Sequence, residues 1–476
     1  MLDRLETLLG PRGLLRADTD LARYVTEPRG RFQGRPLAVA RPANTAQVAE
    51  LVGLCAGQGV ALVPQGGHTG LVGGGSALGP GREVIVSLER MRAVRALDTA
   101  DASLIVEAGA TLAAVREAAA EAGLMYPVSL ASEGTATIGG TIASNAGGNL
   151  TIRHGNTRRQ VLGLEVVLAD GRILDGLRTL RKDNSGFDLK HWFIGSEGTL
   201  GIITAAALAL QPPARQSTTA LLAVADLEAG LSLLAELRSA LGETLSACEF
   251  LPRQALDFVL ADLPDARDPF DRPHPWYVLV QADSTLAGDW LEPAVLEVCE
   301  SGLGAGRVGD AVVADSATRA AELWRLREHI SPAQKRGGVS LKHDISVPVA
   351  RIPAFMASVL PALERAVPGV RPCVFGHLGD GNLHFNLSQP PDMTAQAFRE
   401  RESECNRIVF DTVVAERGSI AAEHGVGVLR RERLAEDEPL KVALRGRVKR
   451  ALDPGGVMNP GKVVLAGKGE RLRGKA

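Results

Sequence analysis

The chain has 476 residues, 45% hydrophobic and 23% charged, with a formal net charge of −2. That length is too great for one hydrophobic core, so two or three domains are expected, and the near-neutral balance argues against nucleic acid or an anionic membrane as partner. Five scattered cysteines (55, 248, 299, 373 and 405) with no CxxC argue against a disulfide framework or a zinc ribbon and suit a reducing compartment.

The opening decapeptide MLDRLETLLG carries Asp3 and Glu6 and resembles neither a signal peptide nor an acid-poor transit peptide. No run of about 18 apolar residues follows, so no spanning helix and a cytoplasmic location are expected. PLAVARP (36–42) is a short apolar run. The segment 44–59 has helical spacing, with Thr45 as its N-cap candidate, and ALVPQGGHTGLVGGG (61–75) is a strand running into glycines. The alternation continues through EVIVSL (83–88), SLIVEAGATLAAVREAAAEAG (103–123) and GLEVVLADGRIL (163–174), which indicates α/β layers. QPPARQS (211–217) is a boundary candidate. A helix-rich stretch leads to a hairpin in the 370s and a single long helix expected over 394–418. DPGGVMNPGK (453–462) and a basic tail (467–476), expected to be solvated, close the chain.

In VFGHLGDGNLHFNLS (374–388), Asp380-Gly381 signals a two-residue type I′ hairpin turn. That register places His377 directly opposite His384, with Asn386 on the same face and Leu383, Phe385 and Leu387 on the other. Two imidazoles so placed can hold one divalent metal; otherwise they are polar residues on a wet face. Asp380 reads as a turn former.

Three glycine-rich segments, 64–75, 133–149 and 195–201, could bring backbone N–H groups to a pyrophosphate. Neither early loop matches GxGxxG, and no Walker A is present. The one literal GxGxxG, Gly304-Ala-Gly306-Arg-Val-Gly309, follows a helix and precedes a strand, the reverse of a dinucleotide fold, so a nicotinamide Rossmann domain is not expected.

PQGGHTG, GGTIASNAGGN, RKDNSGFDLK, FIGSEGTLGIIT, FGHLGDGNLHFN, AAEHGVG and NPGK occur in this order. As a set over about residues 36 to 465, they resemble the D-2-hydroxyglutarate and D-lactate dehydrogenase family of FAD-dependent 2-hydroxy acid dehydrogenases, within the vanillyl-alcohol oxidase / p-cresol methylhydroxylase superfamily. The resemblance implies an α+β chain built of α/β layers. Residues 1–213 would form a two-subdomain FAD-binding domain, 214–424 a substrate- and metal-binding domain with an antiparallel sheet and helices, and 425–476 a helical segment returning to the flavin.

It implies FAD contacts from Pro64, Gly66, Gly67, His68, Thr69, Gly70, Leu71, Ser132, Gly134, Thr135, Ile138, Gly139, Ser144, Asn145, Gly147, Gly148, Glu197, Gly198, Gly201, Ile202 and Asn459. His68 stands where relatives more often carry asparagine, so non-covalent FAD is expected, with a covalent link through His68 as the alternative. Zinc or a similar divalent metal would be held by His377, His384 and Glu423, and His424 matches the general base. Arg327, Ser331, Lys342 and Asn386 match substrate positions; Arg327 and Ser331, four apart, would share a helical face. A basic cluster beside a metal suits a dicarboxylic acid, which points to oxidation of D-2-hydroxyglutarate to 2-oxoglutarate, with D-malate or D-lactate as the nearest alternatives. Electron-transfer flavoprotein or a quinone is the implied acceptor, and a homodimer is compatible. A metallohydrolase leaves the glycine loops unexplained, and a non-catalytic flavoprotein subunit leaves the metal-and-base set unexplained.

Overall fold

The computed structural model describes residues 1–79 and 81–465; the basic tail expected at 467–476 lies outside the described residues. The chain divides into two compact units. One comprises 1–148, 155–213 and the chain from His424; the other comprises 149–154 and 214–423.

The first unit holds two sheets that share one main core, and a smaller cluster with Tyr24, Val39, Val63 and Ile85 beside it. Strands Ala38–Ala40, Glu83–Ser87 and Ala61–Gln65 run parallel in that spatial order, with Leu14–Leu15 antiparallel at one edge. Five antiparallel strands, in the order Val94–Asp98, Ser103–Glu107, Ile202–Ala209, Val161–Val167 and Ile173–Gly176, form the second sheet. Every residue of Ile202–Ala209 is buried, as a central strand covered on both faces requires. Leu62, Val84, Ile142, Val166, Leu208 and Met458 belong to one continuous core. The helix expected from residue 44 spans Thr45–Ala56, but its cap is Asn44, not Thr45: the Asn44 side chain accepts from the Gln47 N–H at 2.9 Å. Thr45 is already helical and gives its hydroxyl to Glu165 at 2.6 Å.

The second unit is a seven-stranded antiparallel sheet with the order Val308–Val313, Gln216–Val224, Trp276–Ser284, Leu245–Pro252, Arg371–His377, Asn382–Ser388 and Ser340–Ser346. One face, with Leu222, Phe250, Val280, Ile345, Val374 and Phe385, belongs to a core shared with helices Leu227–Leu241, Leu291–Gly304, Ile352–Ala366 and Glu402–Ala415. The opposite face is apolar over part of its width, where Leu221, Leu251, Tyr277, Cys373 and Phe375 share a core with helices Arg253–Asp262 and Ala317–Glu328. The rest of that face is polar. The single helix expected over 394–418 is two, Ala395–Glu400 and Glu402–Ala415, parted at Arg401, whose guanidinium turns back to the Ala366 carbonyl at 2.7 Å. Around Gly304–Gly309 a helix precedes a strand, the order that does not build a dinucleotide loop. All five cysteines are free and buried. No helix among the described residues is long and apolar enough to cross a membrane.

Replacing Asn44 by Ala removes the cap and is expected to cost about 1 kcal/mol. In a unit of this size that lowers the thermal midpoint by about 2–4 °C in calorimetry, with the sheet spectrum unchanged.

Candidate active site and cofactor loops

The hairpin register differs from the expected one by two residues. His377 pairs with Asn382, and His384 pairs with Phe375. A type I′ turn needs positive φ at both central residues, yet of Asp380 and Gly381 only Gly381 has it, at +84°. The connection is therefore a four-residue loop, Leu378–Gly381, closed by the Gly381 N–H donating to the His377 carbonyl at 3.0 Å. Asp380 Oδ1 accepts from the Asn382 N–H at 3.0 Å, as a turn former does. Gly379 donates to the Cys248 carbonyl at 3.0 Å, which fixes the tip to the neighbouring strand. A slip of two keeps every side chain on its face. The two imidazoles are thus diagonal neighbours, with ring centroids 5.5 Å apart and planes at 71°.

Direct partners share a face, so the pairings Glu249 with His377, Asp344 with His384 and Lys342 with Asn386 gather these six residues on the polar part of the sheet. His377, His384 and Glu423 each bring one ligand atom within 4.8 Å of the others. His377 Nε2 is 3.4 Å from Glu423 Oε1. Asp344, 1% exposed, fixes the Glu423 backbone: its Oδ2 accepts from the Glu423 N–H at 2.9 Å and its Oδ1 from Asn382 Nδ2 at 2.9 Å.

Arg327 is buried, not poised on a surface. Its Nε and Nη2 reach Glu249 Oε2 at 2.9 and 2.7 Å, and its guanidinium lies 4.8 Å from the centroid of the Phe375 ring. The other Glu249 oxygen is 2.5 Å from His377 Nδ1. Ser331 does not share a face with Arg327. The helix holding Arg327 ends at Glu328, Ser331 lies exposed in the short helix Ile330–Ala333, and Pro332 has no N–H to continue the ladder. Asn386 is buried and donates from Nδ2 to Gln334 Oε1 at 2.7 Å. Arg325 and Arg336 form surface ion pairs with Asp265 and Asp262. Sequence reasoning missed Glu249, Asp344 and Gln334. Only Glu249 carries a signal, a lone carboxylate inside a mostly apolar strand (LSACEFLP); Asp344 lies in SLKHDIS, whose mixed polar residues single it out in no way.

The two histidines titrate in opposite directions. Burial lowers the His377 imidazole, but the charge and hydrogen bond of Glu249, then Glu423, overcome it and hold it well above its ordinary range. For His384 burial wins over the attraction of Glu423, and the ring falls to about 4, so it is a neutral donor at pH 7. Burial raises Glu423, and the contact with His377 more than reverses that. Two imidazoles and a carboxylate are a donor set suited to a zinc-like ion with an open position. His424 is next in the chain to Glu423 and begins the last segment of the other unit.

In the first unit, Pro64 is the last residue but one of the strand Ala61–Gln65, and Gly66–Leu71 follow it. Ser132, Gly134 and Thr135 precede the helix Ile138–Ser144, and Asn145 caps that helix with φ +50°. Gly147 and Gly148 come next, and Gly201 leads into Ile202 at the head of its strand. These loops meet. A Cβ on Gly67 would run into the Thr135 carbonyl. The Glu197 N–H donates to the Ala143 carbonyl at 2.8 Å, and Asn459 Nδ2 bridges the carbonyls of Gly74 and Glu197 at 2.9 and 2.7 Å. The Glu197 carboxylate is engaged by the N–H groups of Val426 and Gly427 at 2.7 and 2.9 Å. Gly70 and Gly134 instead face space that a Cβ would enter freely. His68 Nε2 and Asn459 Oδ1 are buried with no protein hydrogen-bond partner among the described residues. Burial keeps the His68 ring below its ordinary pKa, opposed by a backbone hydrogen bond at Arg23. Open glycine backbone beside unsatisfied buried acceptors fits an extended polar cofactor such as FAD.

The profile of the FAD binding domain matches residues 36–176, and that of FAD linked oxidases, C-terminal domain, matches 213–463. A D-2-hydroxyglutarate dehydrogenase of Xanthomonas citri pv. viticola is 40% identical over 93% of this chain and 92% of its own length. The chain belongs to this family of FAD-linked oxidases. It is an FAD-dependent oxidoreductase. The D-2-hydroxyglutarate dehydrogenase of Stutzerimonas stutzeri (strain A1501) is 35% identical over 98% of this chain and 99% of its own, and the mitochondrial one of Arabidopsis thaliana is 36% identical over 96% and 80%. Among solved structures, p-cresol methylhydroxylase superposes with TM-score 0.75 at 17% identity, covering 98% of this chain and 96% of its own. This family member therefore has the expected α+β vanillyl-alcohol oxidase type of fold.

Replacing Arg327 by Met leaves Glu249 charged and buried without its guanidinium, which costs about 3–5 kcal/mol. A fall in thermal midpoint on the order of 10 °C is expected, with Arg327→Lys recovering part of it. Calorimetry on both variants checks this before any kinetic loss is read as lost substrate contact.

Proposed function

We propose that the chain oxidises D-2-hydroxyglutarate to 2-oxoglutarate, using FAD and a divalent metal. The observation that carries this reading is the polar sheet face with His377, His384, Lys342 and Asn386, to which a loop brings Glu423 and a helix brings Arg327. The names of the relatives support the substrate.

Oxidising an alcohol to a ketone releases one proton from the hydroxyl and one hydride from C2. Arg327 and Lys342 bind the distal carboxylate of the substrate, which a monocarboxylic acid lacks. Arg327 is suited to this because Glu249 engages only its Nε and Nη2 edge. Asn386, held by Gln334, hydrogen-bonds the substrate. His424 takes the hydroxyl proton on its imidazole. A zinc-like ion held by His377, His384 and Glu423 would supply Lewis acidity toward the hydroxyl and the adjacent carboxylate. FAD held by residues 64–72, 132–149 and 195–202 with Asn459 would supply the hydride acceptor, with electron-transfer flavoprotein or a quinone as the final oxidant.

Under anaerobic conditions D-2-hydroxyglutarate should bleach the visible flavin band of the purified protein. Chelator treatment should abolish the bleaching and zinc restore it. A yellow protein bleached by D-malate or D-lactate instead would transfer the activity to that acid, and bleaching that survives complete metal removal would remove the metal from the mechanism.

FAD is held without a covalent bond in this reading, His68 offering Nε2 as a polar contact. Acid precipitation is then expected to leave all the flavin colour in the supernatant. Colour that stays in the pellet, and is lost in His68→Asn, would establish the link instead.

A further inference from the structure

We infer that Glu249 is a positioning residue that presets both arms of the site: the histidine that would bind metal and the arginine that would bind substrate. The inference rests on the metal reading proposed above. Glu249 lies directly opposite His377 in the antiparallel pair, so the two Cβ atoms are held about 4.5–5.5 Å apart by the backbone ladder. Its carboxylate is 1% exposed, and both oxygens are assigned. Oε1 faces His377 Nδ1 at 2.5 Å; Oε2 takes Nε and Nη2 of Arg327 at 2.9 and 2.7 Å.

Each contact has a chemical consequence. A carboxylate at Nδ1 holds the proton there, which leaves Nε2, the nitrogen 3.4 Å from Glu423, as the donor atom for an ion. Such an outer carboxylate also fixes the ring plane and raises the basicity of the donating nitrogen. On the other oxygen, engagement of the Nε and Nη2 edge, with the guanidinium over Phe375, leaves Nη1 as the remaining end of the fork. The arrangement of one arm cannot change without disturbing the other, because they share one carboxylate.

A residue that only filled the core would affect stability and not metal affinity. The test is zinc affinity, measured by competition with a chromophoric chelator on the full-length, FAD-loaded protein. The variants are Glu249→Gln and the double change Glu249→Met with Arg327→Met. Gln keeps an acceptor for His377 Nδ1–H and should retain most of the affinity. The double variant removes a buried ion pair as a unit, a change that proteins often tolerate, so it remains folded even where the single change does not. It also leaves the local net charge unaltered, so a changed affinity traces to the lost Nδ1 contact. Zinc affinity should fall by about 10–100-fold in the double variant. A double variant that is folded, by circular dichroism, and binds zinc as tightly as the wild type overturns this inference alone. A wild type that binds no zinc overturns the metal reading and this inference with it.

Discussion

A carboxylate buried to 1% exposure is stable only if its charge is matched at hydrogen-bonding distance, and in the second unit Glu249 is matched twice, by Arg327 and by His377. The polar part of the sheet face depends on this arrangement. The ladder brings Glu249 opposite His377, and the hairpin then carries His384 and Asn386 on the same face at two-residue intervals. The last strand adds Asp344 opposite His384 and Lys342 opposite Asn386. All six side chains project from paired strands, and the hairpin connection is tied by Gly379 to Cys248. Glu423 joins them from a loop, which Asp344 holds by its backbone N–H.

The first unit solves a different problem, because its glycine segments are loops. They are held by one another. Gly67 permits one loop to lie on the Thr135 carbonyl, and Asn459 reaches from the C-terminal segment to the carbonyls of two others. Asn459 and Glu197 both have positive φ, at +43° and +51°, a conformation that costs energy in residues other than glycine. Both are over-determined by their hydrogen bonds, and Glu197 spends its carboxylate on the Val426 and Gly427 N–H groups. Some glycines of these motifs thus serve close protein packing, while Gly70 and Gly134 leave backbone open.

Much of this was readable from local signals. Alternation of side chains put the hairpin histidines on one face, because a face depends only on period two and survives a register slip of two. The register itself did not follow from the Asp380-Gly381 pair. A type I′ turn was one of several closures open to that dipeptide, and the tie from Gly379 to Cys248 comes from a strand more than a hundred residues away. The cap at Asn44 was missed in favour of Thr45 because both are good capping residues, and the side chain of Thr45 is claimed by Glu165, which no local pattern reveals. At the break, Arg401 reaches a distant carbonyl, that of Ala366, which no local pattern reveals either. Arg327 was legible as a basic position, but its burial against Glu249 was not, since the partner lies 78 residues earlier in the chain.

The opposite titration of the two histidines follows from what lies against each ring. His377 lies between two carboxylates, with Glu249 at Nδ1 and Glu423 at Nε2, and their charge and hydrogen bonds outweigh burial and hold it well above its ordinary range. For His384 burial, helped by the positive charges of Arg327 and His377, outweighs the pull of Glu423 and Asp344, and it stays neutral. Carboxylates on both sides of one imidazole, with a second, neutral imidazole 5.5 Å away, make this the point of the face most favourable to a cation.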